Sequence, residues 1–328
     1  MLKICVVGAG AIGGFLGTRL ALAGDARVSA LARGTTLVAL RDHGWRLEEA
    51  GALVTAPLAL ASDDPRELGP QDLIILAVKG PALPSLAPTL APLLRRETLV
   101  LPAMNGVPWW FSQGIGALGE EPLESVDPGG HIAAAIATDQ VIGCVVHASA
   151  AVRAPGIAVH RTGRRLIIGE PAGAESARVQ ALAQRLTAAG FELAVSPRIR
   201  YDIWYKLWGN MTMNPFSALT GATVDRVLAD DLLRAFSAAA MREAAAVGNR
   251  VGCEVTESPA DRHAVTRKLG AFKTSMLQDV EAGKPLEIDA LLTAVSEIGG
   301  RVGVATPSTD ALLGLTRVFA AGRGLYRS

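Results

Sequence analysis

The chain has 328 residues, enough for about two domains with a sizeable core in each. Half of the residues are hydrophobic, and 32 Lys+Arg against 31 Asp+Glu leave a formal charge of +1, which excludes a disordered chain and a nucleic-acid-binding polyelectrolyte. Cys5, Cys144 and Cys253 are odd in number and have no CxxC spacing, against a disulfide framework or structural zinc and in favour of a reducing cytoplasm, while apolar runs such as 73–78 fall well short of the roughly 20 residues of a membrane span and no signal peptide opens the chain.

Residues 4–7 predict a short buried strand, and Gly8-Ala9-Gly10-Ala11-Ile12-Gly13-Gly14 follows it directly. The glycines open a helix that runs to Ala23 and stops at Gly24, a C-cap residue. Strand, G-x-G-x-x-G turn and helix together form a dinucleotide fingerprint. Gly8 makes the turn, Gly10 lets a pyrophosphate approach the backbone, and Gly13 permits close helix packing, with the amides of Ala11 and Ile12 at the helix N-terminus. The second strand, 28–32, runs into Arg33 with no acid at its end. An NAD site would place Asp or Glu there for the ribose 2′-hydroxyl, whereas Arg33 suits a 2′-phosphate, so the expected cofactor is NADPH.

Strands at 72–78 and 98–101 flank a helix predicted over 83–94, and such alternation specifies a parallel sheet with crossover helices. Lys79 and Asn105-Gly106 follow these strands, at the sheet edge where open α/β folds bind ligands. Lys79 would contact the phosphate or adenosine end. Asn105 would reach nicotinamide or substrate, or else Asn-Gly is simply a tight turn. Short β-like segments at 141–150, 156–160 and 166–169, a helix over 176–189 and a strand at 191–195 read as an antiparallel extension closing the first domain. Beyond Ser196-Pro197 only helical signals remain, so the expected domains are 1–197 and 198–328, packed around a ligand cleft.

In the helical half, Lys206, Asn210 and Asn214 recur at i, i+4 and i+8 on one predicted helix, among bulky apolar residues. The chain has 26 Arg but 6 Lys, and only 4 Asn, so a plain solvent face would carry Arg and Glu instead. A half-buried lysine is a candidate general acid. Ser275 and Glu287 flank a helix break at Gly283-Lys284-Pro285, offering a hydroxyl donor and a carboxylate acceptor, or a cap and a surface acid. The five histidines show no metal or triad spacing and read as structural.

Taken together, GAGAIGG, Lys79, Asn105-Gly106, Lys206-Leu207 with Asn210 and Asn214-Pro215, Ser275-Met276-Leu277-Gln278-Asp279 and Glu287-Ile288-Asp289 resemble the ketopantoate reductase family over nearly the whole chain. The resemblance implies an NADPH-binding Rossmann domain followed by an all-α domain of the 6-phosphogluconate dehydrogenase type. It also implies Lys206 as catalytic acid, Glu287 on the substrate hydroxyl, Ser275 and Asn105 on the carboxylate, and Asn210 and Asn214 lining the pocket. The partner is then a small 2-oxo acid, with no nucleic acid or membrane, in a possible homodimer.

The chain departs from the family pattern over 107–130, where Pro108-Trp109-Trp110-Phe111 opens a Gly- and Pro-rich insertion. Two adjacent tryptophans would reshape the pocket towards a bulkier 2-oxo acid, or else pack as a surface loop. A non-catalytic NADP-binding regulator and a 6-phosphogluconate-type hydroxyacid dehydrogenase are the other readings. The first predicts cofactor binding without turnover; the second is disfavoured by the 275–289 region.

Overall fold

A computed structural model describes residues 1–174 and 176–326. The chain forms two compact units, the first of Met1–Met104 with His131–Asp202 and the second of Asn105–Gly130 with Ile203–Ser328. The break thus lies inside a helix, a few residues beyond the expected 197/198 boundary. The segment 105–130, expected in the first domain, belongs to the second.

The first unit begins with β1 (Leu2–Val7), α1 (Ala11–Ala23), β2 (Ala26–Leu31), α2 (Gly34–His43), β3 (Trp45–Glu49), β4 (Ala52–Ala56), β5 (Ala61–Ser62), α3 (Pro65–Leu68), β6 (Leu73–Leu76), α4 (Leu83–Leu86) and β7 (Leu99–Pro102). It continues through α5 (His131–Ala135), β8 (Gly143–Ala154), β9 (Ile157–Gly169), α6 (Ala177–Ala188) and β10 (Glu192–Val195). A parallel sheet in the order β5-β2-β1-β6-β7 places the fingerprint strand at its centre. Residues 4–7 of β1 and all of β6 are buried, which accounts for the unbroken apolar sequences there.

A second sheet, β10-β9-β3-β4 with β8 paired antiparallel to β9, supplies the other wall. Between the two sheets lies α1, touching β2 on one side and β3, β8 and β9 on the other. Helices apolar all round are buried ones. The glycines of α1 admit the second sheet: a Cβ on Gly14 would stand 2.8 Å from the Ala158 Cβ, and one on Gly17 2.6 Å from the Trp45 ring.

Three sequence expectations differ from the structure. The helix predicted over 83–94 survives only as α4, followed by a 3₁₀ stretch over Ala87–Leu93. Pro84, Pro88 and Pro92 each remove an amide donor that an α-helix would use. The three β-like segments of 141–169 are two long strands, β8 and β9. Helix α2 and strands β3–β5, which carry weak periodicity, were not anticipated.

The second unit holds α7 (Ile199–Thr220) from Ile203 onward, then α8 (Val224–Ala229), α9 (Asp231–Arg250), α10 (Pro259–Arg267), α11 (Ser275–Glu281), a π-helical turn at Asp289–Thr293, α12 (Ala294–Arg301) and α13 (Pro307–Ala321). Two fully buried tryptophans of α7 bind it to α9: Trp204 Nε1 donates to the Ala244 carbonyl at 3.1 Å and Trp208 Nε1 to the Met241 carbonyl at 2.6 Å. Buried indole N–H groups need such acceptors. Asp230 caps α9 by accepting from the Leu233 amide, and a Ser258–Asp261 capping box opens α10.

The 105–130 segment is bound to this unit by packing and by hydrogen bonds. Trp109, Trp110 and Phe111 are interior side chains, and Phe111 stacks on Trp204 with ring centroids 5.7 Å apart. They serve as core rather than as an open pocket wall. At the far end of the segment the Glu297 carboxylate accepts from the amides of Glu124 and Ser125 at 3.0 and 2.9 Å, while Arg301 donates to the Glu121 carbonyl at 2.8 Å and pairs with Glu297.

His263 is buried in this unit, with Nε2 3.0 Å from Ser237 Oγ. Burial first, then the positive charges of Arg267 and Arg234, lower its pKa from the ordinary 6.5. The unfolded chain therefore takes up this proton at a higher pH than the folded one, and stability falls as pH drops below about 6.5. Thermal melts from pH 8 to 5 should show a declining midpoint that flattens in His263→Gln. An unchanged slope in that variant would remove His263 as the cause.

Candidate active site

A cavity of about 650 Å³ opens over the fingerprint turn of the first unit, lined by Gly8, Gly10 and Arg33. Gly8 has φ +92°, and a Cβ there would meet Val78 Cγ1 at 2.7 Å; one on Gly13 would stand 1.9 Å from the Gly8 carbonyl oxygen. Both positions exclude any larger residue. By contrast, a Cβ on Gly10 has no heavy atom within 4 Å, so the bare backbone there faces open space. This cradle, with Ala11 and Ile12 opening α1, fits a ligand pyrophosphate.

Arg33 is exposed where β2 gives way to α2. Lys79 begins the 3₁₀ turn Gly80–Ala82 and follows Val78, itself part of the cavity wall. Sequence reasoning missed Thr36, Asp63, Asp64, Arg66, Ser85 and Thr89, which also line the cavity. One signal was readable: Asp64-Pro65 is a helix start, and the Asp64 side chain caps α3 by accepting from the Arg66 amide at 2.9 Å. The Arg66 guanidinium beside Asp64 holds its carboxyl below the usual range. Elsewhere in this unit, burial pushes the Cys5 thiol up to about 12, which makes it inert as a nucleophile.

All the residues expected to handle substrate lie in the second unit: Asn105, Lys206, Asn210, Asn214, Ser275 and Glu287. Asn105 therefore does not share a unit with the fingerprint cavity. Lys206 Nζ donates to Asn105 Oδ1 at 2.8 Å, joining positions 101 residues apart. Lys206 is half-buried on α7, two residues from each of the fully buried Trp204 and Trp208. Further along α7, Asn210 is half-buried and Asn214 buried, about one and two turns beyond Lys206 at 1.5 Å rise per residue.

The loop carrying Asn105 is seated by backbone. Gly106 has φ +81°, and a Cβ on it would lie 2.5 Å from the Ala290 carbonyl oxygen. The next amide, Val107 N, donates to that same carbonyl at 2.8 Å. Ala290 belongs to the π turn that begins two residues after Glu287, a local geometry frequent at functional sites. Glu287 is itself only 9% exposed. Asn105-Gly106 is thus more than a tight turn: one side chain contacts Lys206 while the adjoining peptide docks beside the Glu287 segment. Ser275 is exposed as the first residue of α11, and Thr274 rather than Ser275 caps that helix.

Among the described residues, no helix is long and apolar enough to cross a membrane. A parallel α/β unit carrying a glycine fingerprint, followed in the chain by a helical unit carrying a lysine–asparagine pair, defines a two-unit protein of the dinucleotide-fingerprint class. Family models described as ketopantoate reductase PanE/ApbA and its C-terminal domain match residues 4–173 and 198–320. A 2-dehydropantoate 2-reductase of Mesorhizobium japonicum is 44% identical over 99% of this chain and 100% of its own. A Ralstonia solanacearum MolK2 structure, provisionally assigned as a ketopantoate reductase, has a TM-score of 0.95 at 55% identity, covering 99% of this chain and all of that one. A PanE/ApbA family ketopantoate reductase from Ralstonia eutropha JMP134 aligns with a TM-score of 0.84 at 25% identity, over 98% of this chain and all of that one. The chain belongs to the ketopantoate reductase family.

Proposed function

We propose that the protein reduces 2-dehydropantoate to pantoate with NADPH, using Lys206 as general acid, in the route to pantothenate and coenzyme A. The observation that carries this reading is the 2.8 Å contact from Lys206 Nζ to Asn105 Oδ1, on a helix packed with buried tryptophans. Bound NADPH supplies the hydride. The chain's own task is to hold a 2-oxo acid and to neutralise the charge that develops on its ketone oxygen.

A lysine ammonium has three donors. The Asn105 amide oxygen takes one of them, which helps to orient the head of the side chain, and the ammonium turns another towards the ketone oxygen when substrate binds. With Lys206 delivering the proton to that oxygen, an alkoxide never has to form free in a desolvated site. Since Asn105 accepts through Oδ1, its Nδ2 remains the donor end for the substrate carboxylate, together with the Ser275 hydroxyl. Glu287 accepts from the substrate hydroxyl, and Asn210 and Asn214 complete the polar lining. In the first unit, Gly8, Gly10, Ala11, Ile12 and Gly13 hold the pyrophosphate, Arg33 the 2′-phosphate and Lys79 the phosphate or adenosine end.

The direct test is loss of reduced-nicotinamide absorbance with purified protein, ketopantoate and NADPH, run beside NADH and a panel of bulkier 2-oxo acids. Turnover of ketopantoate favoured by NADPH is the expected result. Tight NADPH binding with no turnover of any 2-oxo acid would overturn the enzyme reading in favour of a regulator.

A further inference from the structure

Arg33 is not the only guanidinium on the fingerprint cavity: Arg66 of α3 lines it too, with Asp63 and Asp64. Among the described residues, Arg66 is hydrogen-bonded on one edge only, by Asp64. Its Nε donates to both Asp64 carboxylate oxygens at 2.9 Å and its Nη2 to Oδ2 at 2.6 Å, so Asp64 occupies the Nε/Nη2 side of the fork. A guanidinium presents two such edges, and the Nη1 edge lies away from Asp64. The base of this arrangement is firm. Buried Ser62 accepts from the Asp64 amide at 3.0 Å and donates to Glu67 Oε2 at 2.6 Å, and Asp64 caps the helix.

Charge balance favours a role for Arg66 with an anionic ligand. Among the residues lining the cavity, Asp63 and Asp64 carry the carboxylates and Arg33 and Arg66 the guanidinium groups. With Arg66 the rim is neutral before any ligand arrives, and two forks are present for the phosphate oxygens.

We propose that Arg66, oriented by Asp64, is a second specificity-determining residue for the adenosine 2′-phosphate, offering its Nη1 edge alongside Arg33. This rests on the NADPH reading above. Asp64 is a positioning residue here: it grips the Arg66 guanidinium at the cavity lining, and its carboxylate offers no donor to a phosphate.

The test is titration calorimetry on the full-length protein with NADPH and NADH, and with 2′,5′-ADP against 5′-AMP as fragment probes, for wild type, Arg33→Ala, Arg66→Ala and Asp64→Asn. Arg66→Ala is expected to lower the NADPH-over-NADH preference about tenfold or more, as for loss of a charge-assisted contact, and to lower the 2′,5′-ADP preference equally. Asp64→Asn keeps a capping oxygen but loses the charged two-point grip on Arg66, so it should lose part of the same preference. A wild type that binds NADH as tightly as NADPH overturns the NADPH reading and this inference with it. A wild-type preference that collapses in Arg33→Ala and survives intact in Arg66→Ala overturns the Arg66 assignment alone.

Discussion

Lys206→Ala is expected to lower kcat with ketopantoate by about 10²- to 10⁴-fold, the range for loss of a positioned general acid, while the Kd for NADPH stays within about twofold. The two parameters separate because Lys206 belongs to the helical unit and the fingerprint cavity to the α/β unit. Lys206→Arg sharpens the experiment. Arginine keeps the positive charge but holds its proton at all accessible pH values, so it should fail to restore turnover if proton donation is the role. If charge alone orients the substrate, Lys206→Arg should recover most of the loss. Asn105→Ala should show a smaller kcat deficit, since it removes one hydrogen bond to the ammonium without removing the ammonium itself. A single-turnover rate constant for hydride transfer in Lys206→Ala within threefold of wild type would sink the assignment of Lys206 as the acid.

What the amino-acid order disclosed and what it concealed follow one physical division. Local geometry was readable: the glycines at 8, 10 and 13 recur within one strand–turn–helix, where Gly8 has φ +92° and a Cβ on Gly13 would stand 1.9 Å from the Gly8 carbonyl oxygen, and the 2.8 Å first helical hydrogen bond from the Gly14 amide to the Gly10 carbonyl lies inside the same motif. The polar stripe of α7 was readable because Lys and Asn are rare in this chain. Contacts set by tertiary structure were not. Nothing local to 105–130 tells that its Trp109, Trp110 and Phe111 enter the helical core, or that Glu297 and Arg301, more than 170 residues later, fasten its far end. The π turn at Asp289–Thr293 has no signature in its apolar sequence. Arg66 was one arginine among 26 until the fold placed α3 on the cavity rim. The proline-spaced 84–92 run shows the opposite failure, a readable signal outweighed by apolar periodicity.

Gly106→Ala is expected to produce the second large effect, and by a route that no residue touching substrate would share. Any Cβ at 106 meets the Ala290 carbonyl oxygen at 2.5 Å and the Ala290 Cβ at 2.6 Å. The Ala290 carbonyl oxygen and carbon, the latter at 2.7 Å, are backbone, so Ala290→Gly would remove only the Cβ conflict. The loop must move, and with it go the Val107–Ala290 hydrogen bond and the placement of Asn105 against Lys206. Misplacing a positioning group by about 1 Å costs on the order of 10² in rate, so kcat should fall at least tenfold. Gly114→Ala is the matched control: it lies in the same segment with φ +76°, but a Cβ there meets nothing within 4 Å. It carries only the left-handed backbone penalty of roughly 1–2 kcal/mol. Its melting temperature should therefore drop modestly while kcat holds. Equal losses of stability and activity in the two variants would mean that backbone conformation alone governs position 106. A kcat deficit confined to Gly106→Ala, together with a cofactor Kd unchanged from wild type, would locate the damage at the Asn105–Lys206 contact and tie the π turn to the chemistry.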